Sequence, residues 1–170
     1  MKIRLSSKIQ TDSVVDGEGI RTVIWTQGCP HHCPFCHNPE THDFNGGFLM
    51  DTNEIIEKLR NLELQDGITF SGGDPMMQAE ACTEIAKACK EMGYNVWCYT
   101  GFLFEELLSN PKQVEFLKYI DVLVDGKFEI DKKSYDAKFR GSTNQRLINV
   151  KASLKKNRGV TIRKYNIKKK

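Results

Sequence analysis

Hydrophobic positions along this chain switch repeatedly between short continuous or alternating runs and helical spacing. The segment Ile3 to Ile9 opens the pattern and predicts a first strand. Arg21-Thr-Val-Ile-Trp-Thr-Gln27 is apolar and β-branched and stops at Gly28, which predicts a buried strand. Ile55, Ile56, Leu59 and Leu62 fall on one helical face behind the cap candidates Asp51-Thr-Asn53. Gly67-Ile-Thr-Phe-Ser71 predicts a short strand, and Met77 to Met92 a helix closed by Gly93. Asn95-Val-Trp-Cys-Tyr-Thr100 predicts another strand. Phe102 to Leu108 has helical spacing, Pro111 breaks it, and a second helical stretch runs to Ile120. Asp121-Val-Leu-Val-Asp125 predicts a strand before Gly126. Leu147 to Val150 and Val160 to Tyr165 are two late candidates.

Strands that alternate with helices in this way imply a mainly parallel sheet. A complete eight-fold barrel takes about 250 residues, and at that rate this chain supports about five or six strands. The expected fold is therefore α/β: an open, partial (β/α) barrel. With no repeat, linker or low-complexity stretch to divide them, residues 1–170 are expected to form one domain.

Composition narrows the function classes. Hydrophobic residues make up 39% and charged residues 28%, as in a water-soluble globular protein. No apolar run reaches membrane-spanning length, so no membrane partner is expected. A formal net charge of only +3 gives no expectation of nucleic acid. Much of the basic excess sits between Lys151 and Lys170, and this tail is expected to be a solvated, frayed terminus. Cysteines that look reduced and no export signal make the cytoplasm the expected compartment.

Candidate chemistry begins at Cys29-Pro-His-His-Cys-Pro-Phe-Cys36. Three thiolates this close can hold one metal centre. An ordinary iron–sulfur cluster takes four cysteines, and the next one is Cys82, so a cluster here would leave one iron open. Pro34 clashes with a helix through the segment, and the residues before Pro30 and Pro34 are biased to extended geometry, which predicts a loop. The loop leaves the carboxyl end of a strand, where α/β proteins place chemistry. A zinc site of three cysteines and one of His31, His32 or His37 is the competing reading, although zinc sites usually come as two separated ligand pairs. The three histidines are expected to be polar loop groups. Cys82 and Cys89, seven apart on one helix face, are expected to be packed thiols, and Cys98 carries no assigned chemistry.

A second constellation, Ser71-Gly-Gly-Asp-Pro75, directly follows the strand after the one that carries the cysteines. Adjacent glycines there are expected to let a polar ligand approach the backbone, on the same rim as the thiols.

The cysteine spacing, with Phe35 before the last cysteine, resembles the radical S-adenosylmethionine (SAM) superfamily, and Ser71-Gly-Gly-Asp-Pro75 resembles its Gly-Gly-Glu motif. More narrowly, several segments resemble the activating enzymes of glycyl radical enzymes, above all those of anaerobic (class III) ribonucleoside-triphosphate reductases. These are Val15-Asp-Gly-Glu-Gly-Ile-Arg21, Cys36-His-Asn-Pro-Glu40, Val122-Leu-Val-Asp-Gly-Lys127 and Arg140-Gly-Ser-Thr-Asn-Gln145. Glu18 departs from the pattern, since related activases often have Pro there. The resemblance implies that Cys29, Cys33 and Cys36 ligate three irons of one [4Fe–4S] cluster and that SAM takes the fourth. Reductive cleavage of SAM would then yield a radical that takes a hydrogen atom from a glycine of the reductase.

The resemblance also implies that Gly72, Gly73 and Asp74 contact the methionyl amino group. Phe35, Cys36 and His37 are expected near the adenine, Thr100 near the methionyl or ribose part, and Asp125 and Lys127 near SAM. It implies the reductase as protein partner and a flavodoxin-like electron donor. Activation of pyruvate formate-lyase is the same-class alternative, and a non-catalytic zinc module is the different-class one.

Overall fold

The structure is a computed structural model and describes residues 1–166. Its centre is four parallel strands: β3 (Arg21–Thr26), β5 (Gly67–Gly72), β6 (Asn95–Tyr99) and β7 (Val122–Asp125). Four further strands pair antiparallel around them: β1 (Lys2–Leu5), β2 (Gln10–Ser13), β4 (Phe48–Asp51) and β8 (Arg146–Asn149). The order across the sheet is β4-β1-β3-β5-β6-β7-β8, with β2 also on β3.

The eight strands exceed the expected five or six. β2 and β4 were not foreseen, because neither carries a buried apolar run; Gln10, Thr11 and Asp12 are exposed. Residues 160–165 form no strand. Thr161 makes one isolated bridge to Ile148, and the chain then turns into a short helix, α6 (Arg163–Asn166).

Helices α1 (Thr52–Arg60), α2 (Ala79–Glu91), α3 (Phe104–Leu107), α4 (Pro111–Leu117) and α5 (Val150–Lys156) complete the described fold. Their starts follow from capping chemistry: the Asp51 carboxylate accepts from Asn53 N, and Asn110 Oδ1 accepts from Lys112 N and Gln113 N. Pro111 thus opens α4 instead of only breaking α3, since the first helical position needs no N–H partner.

Strand alternation sorts the side chains into two cores. Ile24, Ile68, Phe70, Val96, Cys98 and Leu123 pack with the helices, among them the fully buried Cys82 and Cys89 of α2. The opposite face carries Trp97, Val122, Val124 and Leu147, against which Tyr165 packs. Arg21 also fills this face and is 1% exposed. Its guanidinium donates to Thr69 Oγ1 and to the carbonyls of Glu18, Ile68 and Asn95. Burial pulls its pKa down to about 10, so it stays charged at neutral pH.

The expected frayed tail is a correction. Residues 150–156 are helical, and Tyr165 is buried against Trp97 and hydrogen-bonded to Glu18. The aromatic ring, invisible to a charge count, decides the matter. Lys168, Lys169 and Lys170 lie outside the described residues.

Candidate metal centre and cofactor site

The site grows from the register of two parallel strands. Thr26 of β3 lies opposite Gly72 of β5, so the segments that leave them stay side by side. Gly73 N donates to Thr26 O, and Asp74 N donates to Gly28 O, each at 2.8 Å. The cysteine loop and the glycine turn therefore share one rim. From Gly28 to Asn38 the chain forms neither helix nor strand. His32 and Phe35 adopt positive φ, 48° and 59°.

Cys29, Cys33 and Cys36 line one cavity of about 120 Å³ with the backbone of Gly72 and Gly73, Thr100 and Lys127. Burial pushes the Cys29 thiol up to about 11 and raises Cys33, against which the nearby Lys127 charge acts in the opposite direction. A metal that binds here therefore displaces protons. A single zinc ion would need its donors within about 2.3 Å of one point. Among the described residues no three His, Cys, Asp or Glu side chains are gathered in that way. All three thiols border this one cavity, which suits a thiophilic group. His42 also borders this cavity, and its Nε2 is enclosed without a hydrogen-bond partner among the described residues. An orphaned nitrogen of this kind fits a site that a bound group completes.

The 4Fe-4S single cluster domain family matches residues 15–148. The anaerobic ribonucleoside-triphosphate reductase-activating protein of Pasteurella multocida is 33% identical over 142 residues, 78% of this chain and 89% of that one. Its namesake in Escherichia coli K12 is 35% identical over 141 residues, with 78% and 90% covered. The chain belongs to this activating-protein family. The pyruvate formate-lyase-activating enzyme of Clostridium pasteurianum is 36% identical over 123 residues, 66% of this chain and 52% of that one. QueE from Escherichia coli, a solved structure, overlays with a TM-score of 0.49 at 12% identity, covering 59% of this chain and 53% of that one. Membership of a 4Fe–4S family sets the zinc module aside.

Within this family member, the other expected site residues divide into those that reach the cavity and those that do not. Gly72, Gly73, Thr100, Lys127 and all three cysteines line it. His37 lines an adjoining cavity of about 490 Å³ together with Cys33 and Cys36. Phe35 stands 75% exposed and lines neither.

Asp74 and Asp125 are 1% and 0% exposed and turn away into the protein. Asp74 accepts from Met76 N, from Gly101 N and from Thr100 Oγ1, and His31 Nε2 lies 2.6 Å from it. As Asp rather than Glu, it is short enough to cap the 3-10 turn Pro75–Gln78. Asp125 is held by Arg146, with Nε at 3.0 Å, and accepts from Phe104 N. His31 was expected to be only a polar loop group, yet its side chain is buried between Asp74 and the Phe102 ring. The sequence carries no local signal for that contact, nor for His42.

The two glycines also meet a packing requirement. A Cβ on Gly73 would meet the Gly28 carbonyl oxygen at 2.4 Å, and one on Gly72 the Thr26 oxygen at the same distance. The missing side chains admit the end of β3. Gly73→Ala is therefore expected to displace Gly28 and Cys29. Iron bound per chain after anaerobic reconstitution should fall to less than about half, because backbone, not a flexible side chain, stands in the way. Wild-type iron content in Gly73→Ala would remove this account.

Proposed function

We propose that this chain is a radical SAM activase that installs a glycyl radical on an anaerobic ribonucleoside-triphosphate reductase. The observation that carries the reading is the meeting of three closely spaced thiols and the glycine turn on one cavity, in a chain of this family. Cys29, Cys33 and Cys36 would hold one [4Fe–4S] cluster by three of its irons, with the fourth open to SAM. When bound, the cluster and SAM supply one-electron cleavage of the sulfonium and removal of a hydrogen atom from the partner's glycine.

The protein's own part is to hold and to exclude. Backbone at Gly72 and Gly73 and the cation of Lys127, which line the cavity, would receive the polar end of SAM. Asp74 acts behind them as a positioning residue: it ties Thr100 and Gly101, at the end of β6, to the glycine turn. Asp125 does the same for β7 through Arg146. Cys36 and His37 border the wider cavity, which suits the adenine and the incoming glycine.

The sheet is read as an open partial barrel, and the whole chain as one domain. Both faces of the central strands are covered, while the end strands β4 and β8 do not pair with each other. An open side leaves room for a macromolecular substrate. The electron donor is a small flavodoxin-like protein of the cytoplasm, as the family resemblance implies. Among the described residues no helix is long and apolar enough to cross a membrane.

Anaerobic reconstitution, reduction and addition of SAM tests the reading. Methionine and 5′-deoxyadenosine should form in equal amounts, and the glycyl doublet should appear when the reductase is present. No SAM cleavage by a fully loaded cluster would overturn the activase assignment. A doublet only on a formate-lyase would overturn the partner.

A further inference from the structure

His31 stands midway between Cys29 and Cys33, and the activase reading leaves it without a task. We propose that His31 is a positioning residue: by holding Asp74 it locks the cluster loop to the glycine turn, and so sets where the open iron stands relative to SAM. This rests on the activase reading above and adds to it the group that joins its two halves.

The loop is otherwise loosely fastened. Its base is tied by Gly28 N to Thr41 O and by Cys29 N to His42 O. From Pro30 to His37 the one main-chain hydrogen bond among the described residues is internal, Cys36 N to Cys33 O. Pro30, His32, Pro34 and Phe35 are exposed. Of the side chains in that stretch other than the thiols, His31 alone hydrogen-bonds to the rest of the described protein.

His31 is built into its place. Its side chain is 5% exposed, although both sequence neighbours are exposed. Nε2 lies 2.6 Å from Asp74 Oδ2. Asp74 also accepts from Met76 N, Gly101 N and Thr100 Oγ1, so it is the acceptor here too, and the imidazole carries a hydrogen on Nε2. The Phe102 ring stands edge-on to the imidazole at 4.5 Å. A Cβ on Gly101 would collide with the imidazole, so the end of β6 is bare where the ring sits. His31 also borders the thiol cavity, beside Gly72 and Gly73. Burial raises the Cys29 thiol, and a hydrogen bond from the His31 main-chain N–H acts against it. One residue thus reaches the first thiol with its backbone and the glycine turn with its ring.

A histidine that merely fills a core needs only the contact with Phe102. This one brings the loop after β3 to Asp74, where the ends of β5 and β6 already meet. Groups behind a metal's ligands orient them, and losing one costs about 10–100-fold in binding. Here the binding at stake is that of SAM, on an iron whose place depends on the loop.

The test uses the full chain as wild type, His31→Leu and His31→Gln. Leucine keeps apolar contact with Phe102 and removes the donor, whereas the glutamine amide nitrogen can take the place of Nε2. Asp74 keeps its three other donors in both variants, so the fold and the thiols should stay in place. Iron per chain after anaerobic reconstitution should therefore stay close to wild type. The SAM concentration that half-saturates the change in the reduced cluster's paramagnetic signal should rise about tenfold in His31→Leu and return to within about threefold in His31→Gln. The tie itself is read without cluster or SAM. In the metal-free chain, iodoacetamide should alkylate Cys33 several-fold faster in His31→Leu than in wild type or His31→Gln.

A wild-type SAM titration in fully loaded His31→Leu would overturn the proposal. So would a His31→Gln that behaves like His31→Leu, since ring shape and not the bond to Asp74 would then be at work. Loss of iron in both variants would make His31 a group for cluster retention and refute it too. A wild-type chain whose loaded cluster does not respond to SAM counts against the activase reading, and equal alkylation rates in all three chains count against the tie.

Discussion

Replacing Cys29, Cys33 or Cys36 singly by alanine is expected to reduce SAM cleavage to background, whereas Cys82→Ala should keep most of it. The three thiols line one cavity, and a cluster held by three cysteines would have no spare ligand. Loss of one thiolate would leave the cluster held by two residues only, too few to retain it. Cys82 lies on α2 in the helix-facing core, fully buried, with its sulfur 3.6 Å from Pro75 O. Truncating it removes one sulfur from a packed core, at a cost of about 1–2 kcal/mol and no chemistry. Iron and sulfide content and 5′-deoxyadenosine yield separate the two groups. Equal losses in all four variants would refute the ligand assignment.

Asp74→Ala is expected to destabilise the fold by about 3–5 kcal/mol, although the side chain lines no cavity. The carboxylate is 1% exposed and gathers Met76 N, Gly101 N, Thr100 Oγ1 and His31 Nε2. Each buried donor left without an acceptor costs about 1–3 kcal/mol, and several are stranded together, so partial relaxation keeps the total below the simple sum. In a domain of this size that corresponds to about 10 °C or more in Tm. Asp74→Asn keeps one acceptor and places an amide among donors, so it should fall between the two. Chemical or thermal unfolding under argon measures the effect. A change below about 1 kcal/mol would mean that the network is replaced by water and that Asp74 is not the hub of the rim.

Much of the fold is legible from pattern alone. β3, β5, β6 and β7 are apolar or β-branched runs that end at glycine, and they appear within a residue or two of their expected limits. Burial on both faces forces that composition. β2 is different. Gln10, Thr11 and Asp12 are exposed, and the segment is a strand only because β3 offers it a pairing edge. β4 owes its strand state to β1 in the same way. α6 depends on Tyr165 finding Trp97 and Glu18, contacts between segments far apart in the chain.

The amino-acid sequence by itself determined the donor set: three thiols, their spacing, the proline-stiffened loop and the Gly72-Gly73 turn. These are covalent and local facts, and no folding alters them. The tertiary structure decided which atoms face the cavity. Parallel register between β3 and β5 put the end of the first strand where glycine side chains would be, so Gly72 and Gly73 make room for protein. Burial of Asp74 and Asp125 behind the rim turned two expected ligand contacts into ties between strand ends. A carboxylate's role depends on which donors reach it first, and residues far apart in the chain supply those donors. The same rule brought His31 of the cysteine loop to Asp74, a contact that only the folded chain shows.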